Sequence, residues 1–337
     1  MTLRHGALLA AVIATSAAAP APLWADTPAL TVYTYNSFVS EWGPGPALQK
    51  EFEQTCGCKI EWVGLEDGAA LLSRLKLEGE QTDADVVLGI DTNLTAETKA
   101  TGLVLPHAVD LSAVKLPIAW DDADFVPYDY GYFAFVYDSQ ALPKPPQSLA
   151  ELAGAGDAPK LIYMDPRTST PGLGLLLWVK QALGDEAAGA WKNIAQKTLT
   201  VTKGWSEGYG LFLKGEAPLV LSYTTSPAYH QMMEDTDRYK ALNFAEGNYL
   251  QVEVAARLKT SDQPDLAQKF LAFLVSRPAQ EKIPTTNWMY PVIDLGDALP
   301  EAFRKLPVPA KTLLMPQDKV AANRGAWIDE WLNSAGQ

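Results

Sequence analysis

Three short stretches carry the residues from which a binding chemistry could be built: Asp67-Gly68, Ser169-Thr170-Pro171 and Ser226-Pro227. Each follows a strand-like run and opens a helix-like one. Each therefore offers the free backbone N–H groups of a helix start, which bind anions, phosphate included. For any one of them plain N-capping is the simpler reading. Aromatic residues cluster beside these starts: Tyr35, Trp42, Trp205, Tyr223, Tyr229, Trp288 and Tyr290. A single aromatic residue usually fills a core. These stand in loops rich in Gly, Pro, Ser and Thr, where their faces could stack on a flat cationic heterocycle.

Catalytic signatures are sparse. The chain has no Walker loop, no HExxH and no Rossmann glycine fingerprint. Gly204-Trp205-Ser206-Glu207-Gly208 fits the G-x-S-x-G of a nucleophile elbow. A hydrolase would also need an acid and then a His downstream. His230 is the only His after Ser206, and no Asp separates them. Helix capping is the expected role of Ser206. The two cysteines, Cys56 and Cys58, flank Gly57 with no His nearby, which is not a zinc pattern. A tight disulfide is expected in an oxidising compartment, with free thiols or a catalytic thiol as the alternatives. No cofactor and no metal site are expected.

These residues must be held by an α/β scaffold. Strand-like runs at Leu30–Tyr35, Ile60–Leu65, Asp85–Ile90, Lys160–Met164, Leu199–Thr202 and Leu219–Tyr223 alternate with helical patterns. Helices are predicted over Pro46–Phe52, from Gly68, from Pro171 to about Leu183, from Asp262 or Pro264, and from Pro278. Two extended aromatic segments, Val126–Tyr137 and Glu246–Ala256, read as crossings between two lobes. Such paired crossings make a hinge, with a ligand cleft between the lobes. The expected division is lobe 1 at 26–127 plus about 250–300, and lobe 2 at about 128–249 plus 301–337.

The first 25 residues read as a secretory signal: Arg4 and His5, then an apolar stretch from Ala7 to about Ala19, with cleavage after Ala25 or Ala19. The apolar core is too short for a permanent membrane span. Cleavage after Ala25 would leave 312 of the 337 residues, enough for two domains. The formal charge of −13 makes nucleic acid a poor partner and favours cationic ligands.

Longer segments carry a family likeness. They are Leu30–Phe38, Trp42–Pro46, Leu65–Gly79, Ala84–Asp91, Phe125–Asp138, Asp165–Trp178, Val201–Glu216, Leu219–His230, Tyr249–Arg257 and Asn287–Val292, together with the Cys56-Gly57-Cys58 pair. On these the chain resembles the periplasmic thiamine-binding proteins of bacterial ABC importers. The resemblance implies a type II periplasmic-binding-protein fold and thiamine, or its monophosphate or diphosphate, held between the lobes. It also implies a periplasmic location and an inner-membrane permease with an ATPase as partner. Matching positions put ligand contacts at Asp67, Gly68, Ser169, Thr170, Trp205, Tyr223, Thr224, Thr225 and Ser226, with Tyr35, Trp288 and Tyr229 lining the same cleft. Two rivals are similar in lobe architecture. Thiaminase I needs a nucleophilic Cys, and ferric-ion binding proteins hold iron with paired tyrosines. Tyr223 is not followed by a second Tyr.

Overall fold

The computed structural model describes residues 27–156 and 159–335. The expected signal at 1–25 lies outside the described residues. The chain starts with β1 (Ala29–Tyr35), the one-turn α1 (Asn36–Val39) and α2 (Pro44–Cys56). α2 opens on Pro44, whose missing N–H costs nothing at a helix start, and closes on Gly57 in the left-handed region. It is longer than the predicted Pro46–Phe52 at both ends. A disulfide joins Cys56 and Cys58 across this turn. Next come β2 (Lys59–Leu65), α3 (Gly68–Glu78), β3 (Val86–Asp91), α4 (Thr95–Lys99) and β4 (Val104–Leu105).

β5 (Val126–Asp138) leads into the second half. There α5 (Leu149–Ala153), β6 (Leu161–Met164), α6 (Thr170–Leu183), α7 (Ala187–Lys197), β7 (Thr198–Thr202), α8 (Trp205–Leu213), β8 (Leu219–Tyr223), α9 (Ser226–Met233) and β9 (Tyr239–Ala241) follow in order. β10 (Asn248–Leu258) returns to α10 (Pro264–Leu274), α11 (Arg277–Gln280), α12 (Ile283–Thr286) and β11 (Tyr290–Pro291). The chain finishes with α13 (Glu301–Arg304), β12 (Thr312–Leu313) and α14 (Gln317–Ala335).

The main path of the sheet runs β2-β1-β3-β10-β5-β8-β6-β7. Its two ends are parallel, β2-β1-β3 on one side and β8-β6-β7 on the other. The centre is the antiparallel pair β10-β5. Each central strand serves both halves. The last residues of β10 pair with β3, and the last residues of β5 pair with β8. This is an α/β protein of two lobes joined by two crossing strands, the predicted architecture.

Packing explains why these strands read as apolar runs. β3 is buried along its whole length. Val86 and Leu88 pack with Leu30, Val32, Leu48 and Phe270, whereas Val87 and Ile90 pack with Leu71 and Leu72. A strand covered on both faces loses the polar alternation of a half-exposed one. In the second lobe Trp178, Trp191 and Trp331 are fully buried, each burial contributing roughly 2–3 kcal/mol. Trp331 anchors α14 by donating to the Tyr163 hydroxyl at 3.0 Å. From the same helix Arg324 reaches Glu97 in the first turn of α4, with Nε···Oε1 at 2.6 Å, so α14 ties the back of one lobe to the other.

Candidate functional site

The lobes meet where two helix starts face each other. Asp67 caps α3 by accepting from Gly68 N at 2.7 Å. The same carboxylate accepts from Ser169 Oγ at 2.8 Å and from Thr170 N at 3.2 Å, at the start of α6 on the other lobe. Ala70 N donates to Thr168 O at 3.2 Å beside them. Two positive helix ends thus share one anion. Burial raises the Asp67 carboxyl above its ordinary range, opposed by the donors from Gly68, Ser169, Thr170 and Trp205. Gly68 is required here, because a Cβ would stand 2.1 Å from Thr170 Oγ1 and 2.5 Å from Gly89 O.

Next to this contact lies a cavity of about 520 Å³. One wall comes from Tyr35, Asp67, Asn287 and Trp288, the other from Trp205, Tyr209, Tyr223, Ser226 and Tyr229. Trp205 opens α8 and lies flat on Tyr209, with ring centroids 4.9 Å apart at 21°. Its indole N–H donates to Ser222 Oγ at 2.8 Å, which is 2.8 Å from Ser226 Oγ. Trp42 approaches Trp205 from the opposite lobe at 6.1 Å. Trp288 follows α12 with φ +57, an unusual state for a bulky residue. Its N–H bonds to Ile283 O, and its ring meets Tyr229 edge-on at 5.0 Å.

The floor is acidic. Asp91 on β3 faces Glu253 on β10, and Glu253 faces Asp129 on β5, so three carboxyls sit in one row across the sheet. Of the three, Glu253 lines the cavity. Its Oε2 accepts from Tyr35 at 2.8 Å and from Tyr128 at 2.9 Å. Asn287 Nδ2 donates to Asp129 Oδ2 at 2.6 Å. Burial pushes Asp91 up to about 7, and it raises Glu253. Burial and the neighbouring Glu253 hold Asp129 well above the usual carboxylate range.

Of the residues singled out from sequence, Tyr35, Trp42, Asp67, Pro171, Trp205, Ser206, Tyr223, Ser226, Tyr229 and Trp288 line the cavity. Gly68, Ser169 and Thr170 lie at the lobe contact instead. Thr224 and Thr225 are buried just before α9, their hydroxyls without partners. Tyr290 turns away and stacks on Tyr130 at 5.3 Å. Ser206 is not a cap: Gly204 holds that position in an extended conformation, and Ser206 sits in the first turn of α8. No elbow forms around it, since His230 spends its ring nitrogens on Tyr209 at 2.8 Å and Glu234 at 2.7 Å. Sequence reasoning missed Glu253, Asn287 and Tyr209. The available signal was an acid inside each of three apolar strand runs.

Two lobes hinged on crossing strands and closed over an aromatic cavity define a binding protein that encloses its ligand. Residues 44–281 match the family model described as bacterial extracellular solute-binding protein. The chain is 57% identical over 314 residues to the thiamine-binding periplasmic protein of Brucella suis, covering 93% of each. It is 58% identical over 311 residues to that of Escherichia coli K12, covering 92% of this chain and 94% of the relative. A solved structure titled periplasmic thiamin binding protein superposes with a TM-score of 0.90 at 57% identity, covering 92% of this chain and 97% of the other. A ferric binding protein from Campylobacter jejuni shares the fold at TM-score 0.74 and 19% identity. The chain belongs to the bacterial extracellular solute-binding protein family; it is a solute-binding protein and not an enzyme.

Proposed function

We propose that this protein captures thiamine in the periplasm and delivers it to an ABC importer. The observation that carries the reading is the cavity itself: flat aromatic walls above an anionic floor. Thiamine offers a flat aminopyrimidine and a cationic thiazolium. Trp205 and Tyr223 on one lobe and Tyr35 and Trp288 on the other suit the rings and the cation. The names and close similarity of the relatives support the same ligand. Stacking, charge and hydrogen bonds carry such binding, which calls for no metal or cofactor.

Three finer points belong to the same reading. Thiamine monophosphate and diphosphate are ligands as well. Supporting this are the start of α9, whose Ser226 lines the cavity, and the buried, unpartnered hydroxyls of Thr224 and Thr225 just before it. Residues 1–25 direct export and are removed, which N-terminal sequencing of the exported protein checks. The receiving partner is an inner-membrane permease with its ATPase.

Calorimetry tests the reading. Protein unfolded to strip carried-over vitamin, and then refolded, is titrated with thiamine and its two phosphates. One-to-one binding with intact thiamine recovered afterwards supports it. Folded protein that takes up none of the three overturns it.

A further inference from the structure

The acidic row has a charge state that its geometry dictates. Residues directly opposed in a sheet hold their side chains on one face about 5 Å apart. Asp91, Glu253 and Asp129 are so placed, and all three are buried. Among the described residues none of them forms an ion pair with Lys, Arg or His. Like charges this close in a low-dielectric interior do not all ionise.

Hydrogen bonding locates the proton. Glu253 Oε2 accepts from Tyr35, Tyr128 and Asn287, donors that favour its anion. Asp129 Oδ2 accepts from Asn287, while its Oδ1 is buried with no donor facing it. The two residues are directly opposed across the β10–β5 pair, which brings their carboxyls together on one face of the sheet. A proton on Asp129 Oδ1, donated towards Glu253, satisfies both groups. The pair then carries one negative charge, and Glu253 presents it to the cavity.

A second polar group lies behind the cavity wall. Gln251 shares the Glu253 face of β10 and is fully buried. Its Oε1 accepts from the Tyr223 hydroxyl at 2.9 Å, but its Nε2 has no acceptor. Opposite Gln251 stands Gly131, and the space beside it is filled by Met289 and Tyr223, which both line the cavity.

Resting on thiamine as the ligand, we propose that the Glu253–Asp129 pair is the counter-ion that selects a cationic heterocycle, and that the proton they share passes to solvent when the cation enters. The other titratable groups facing the pair are Asp91 on β3, Asp67 before α3, Tyr35 on β1, Tyr128 on β5 and Tyr223 on β8. The tyrosines are pushed up by burial and stay neutral.

The test is calorimetry of the refolded, ligand-free full chain with thiamine in buffers of differing ionisation enthalpy, repeated between about pH 5.5 and 8.5. Up to about one proton is released per ligand, and affinity rises with pH by up to about tenfold per unit. Asp129→Asn keeps a donor towards Glu253 but has no proton to lose. It binds with less proton release and a shallower profile than the wild type, the remainder belonging to Asp91. Glu253→Gln loses at least about tenfold for thiamine and far less for a neutral isostere with thiophene in place of thiazolium. The isostere keeps the aminopyrimidine, so it reports separately any proton taken by that ring. At pH 8.5, above the range in which Asp91 holds its proton, infrared spectra of the free protein show a protonated-carboxyl stretch that is missing from Asp129→Asn. Absence of that stretch overturns the proposal whatever the ligand is. So does thiamine binding whose heat is the same in every buffer, or equal losses for thiamine and the isostere in Glu253→Gln. Failure of the wild type to bind thiamine at all would strike the proposed function instead, leaving the infrared band to decide the shared proton.

Discussion

Asp67 Oδ2 accepts a 2.8 Å hydrogen bond from Ser169 Oγ, joining the two lobes through residues 102 positions apart in sequence. Ser169 also caps its own helix by accepting from Gly172 N. Ser169→Ala removes both roles. Stability falls by about 1 kcal/mol, the usual cost of a lost cap. The ligand-free protein also shifts towards a more open form, seen as a larger radius of gyration in small-angle scattering.

Gly204 offers a cleaner way to hold the lobes apart. A Cβ there would stand 3.0 Å from Glu66 O, across the lobe contact. Its backbone is extended, φ −145 and ψ 169, which a β-branched residue adopts readily. Gly204→Val therefore wedges the closed contact without straining either lobe. Thermal stability of the free protein stays near wild type, while thiamine affinity drops by about tenfold or more, one decade being about 1.4 kcal/mol. Unchanged affinity would show that closure at this point is dispensable.

Trp205 is held by Tyr209 on one face and Ser222 at its N–H. Trp205→Ala removes a stacking face and costs about 1–2 kcal/mol of binding, about five- to thirtyfold in Kd. Trp205→Phe keeps a face but not the hydrogen bond and recovers part of the loss. Calorimetry against thiamine reads both.

The acidic row sets an unusual pH response. Asp91 moves from 3.8 in the unfolded chain to about 7 in the folded protein. A carboxyl raised in this way stabilises fully below its unfolded value, and that contribution is lost as pH rises through about 7. Asp129 and Glu253 are raised too and act in the same direction. Glu53 is displaced the other way, to about 2, so its contribution is lost only as pH falls through that value. The melting temperature of the ligand-free protein should therefore decline between about pH 4.5 and 7.5, with a shallower decline in Asp91→Asn. A flat or rising curve would contradict the buried row.

The Cys56–Cys58 disulfide closes a loop of minimal length at the α2–β2 turn. Short loops lose little chain entropy on closure, so its contribution is about 1–2 kcal/mol. Cys56→Ser/Cys58→Ser lowers the unfolding free energy from denaturant titration by that amount and leaves thiamine affinity unchanged, since neither residue lines the cavity.

Much of the scaffold was legible in the sequence because it rests on local signals. Apolar runs marked β1, β3 and β8, and Pro171 marked the start of α6. The length and aromatic content of Val126–Tyr137 and Glu246–Ala256 marked the crossings now seen as β5 and β10. The aromatic candidates were readable in the same way, as rings in loops that follow strands. Glu253 was not. Within YLQVEV it reads as one polar residue of an alternating strand, and only the register to Asp91 and Asp129 exposes its setting. The capping role expected of Ser206 failed because residue type alone does not fix backbone angles. Gly204 takes the extended conformation of the N-cap, which leaves Ser206 two residues too late.

Trp42 and Trp205 belong to opposite lobes, yet their rings lie 6.1 Å apart at 55°. Transition dipoles at that distance and tilt couple, and the coupling fades steeply as the rings separate. The protein thus carries its own optical gauge: a circular-dichroism couplet that is present when the cleft shuts and collapses when the transporter prises it open, readable without any attached dye.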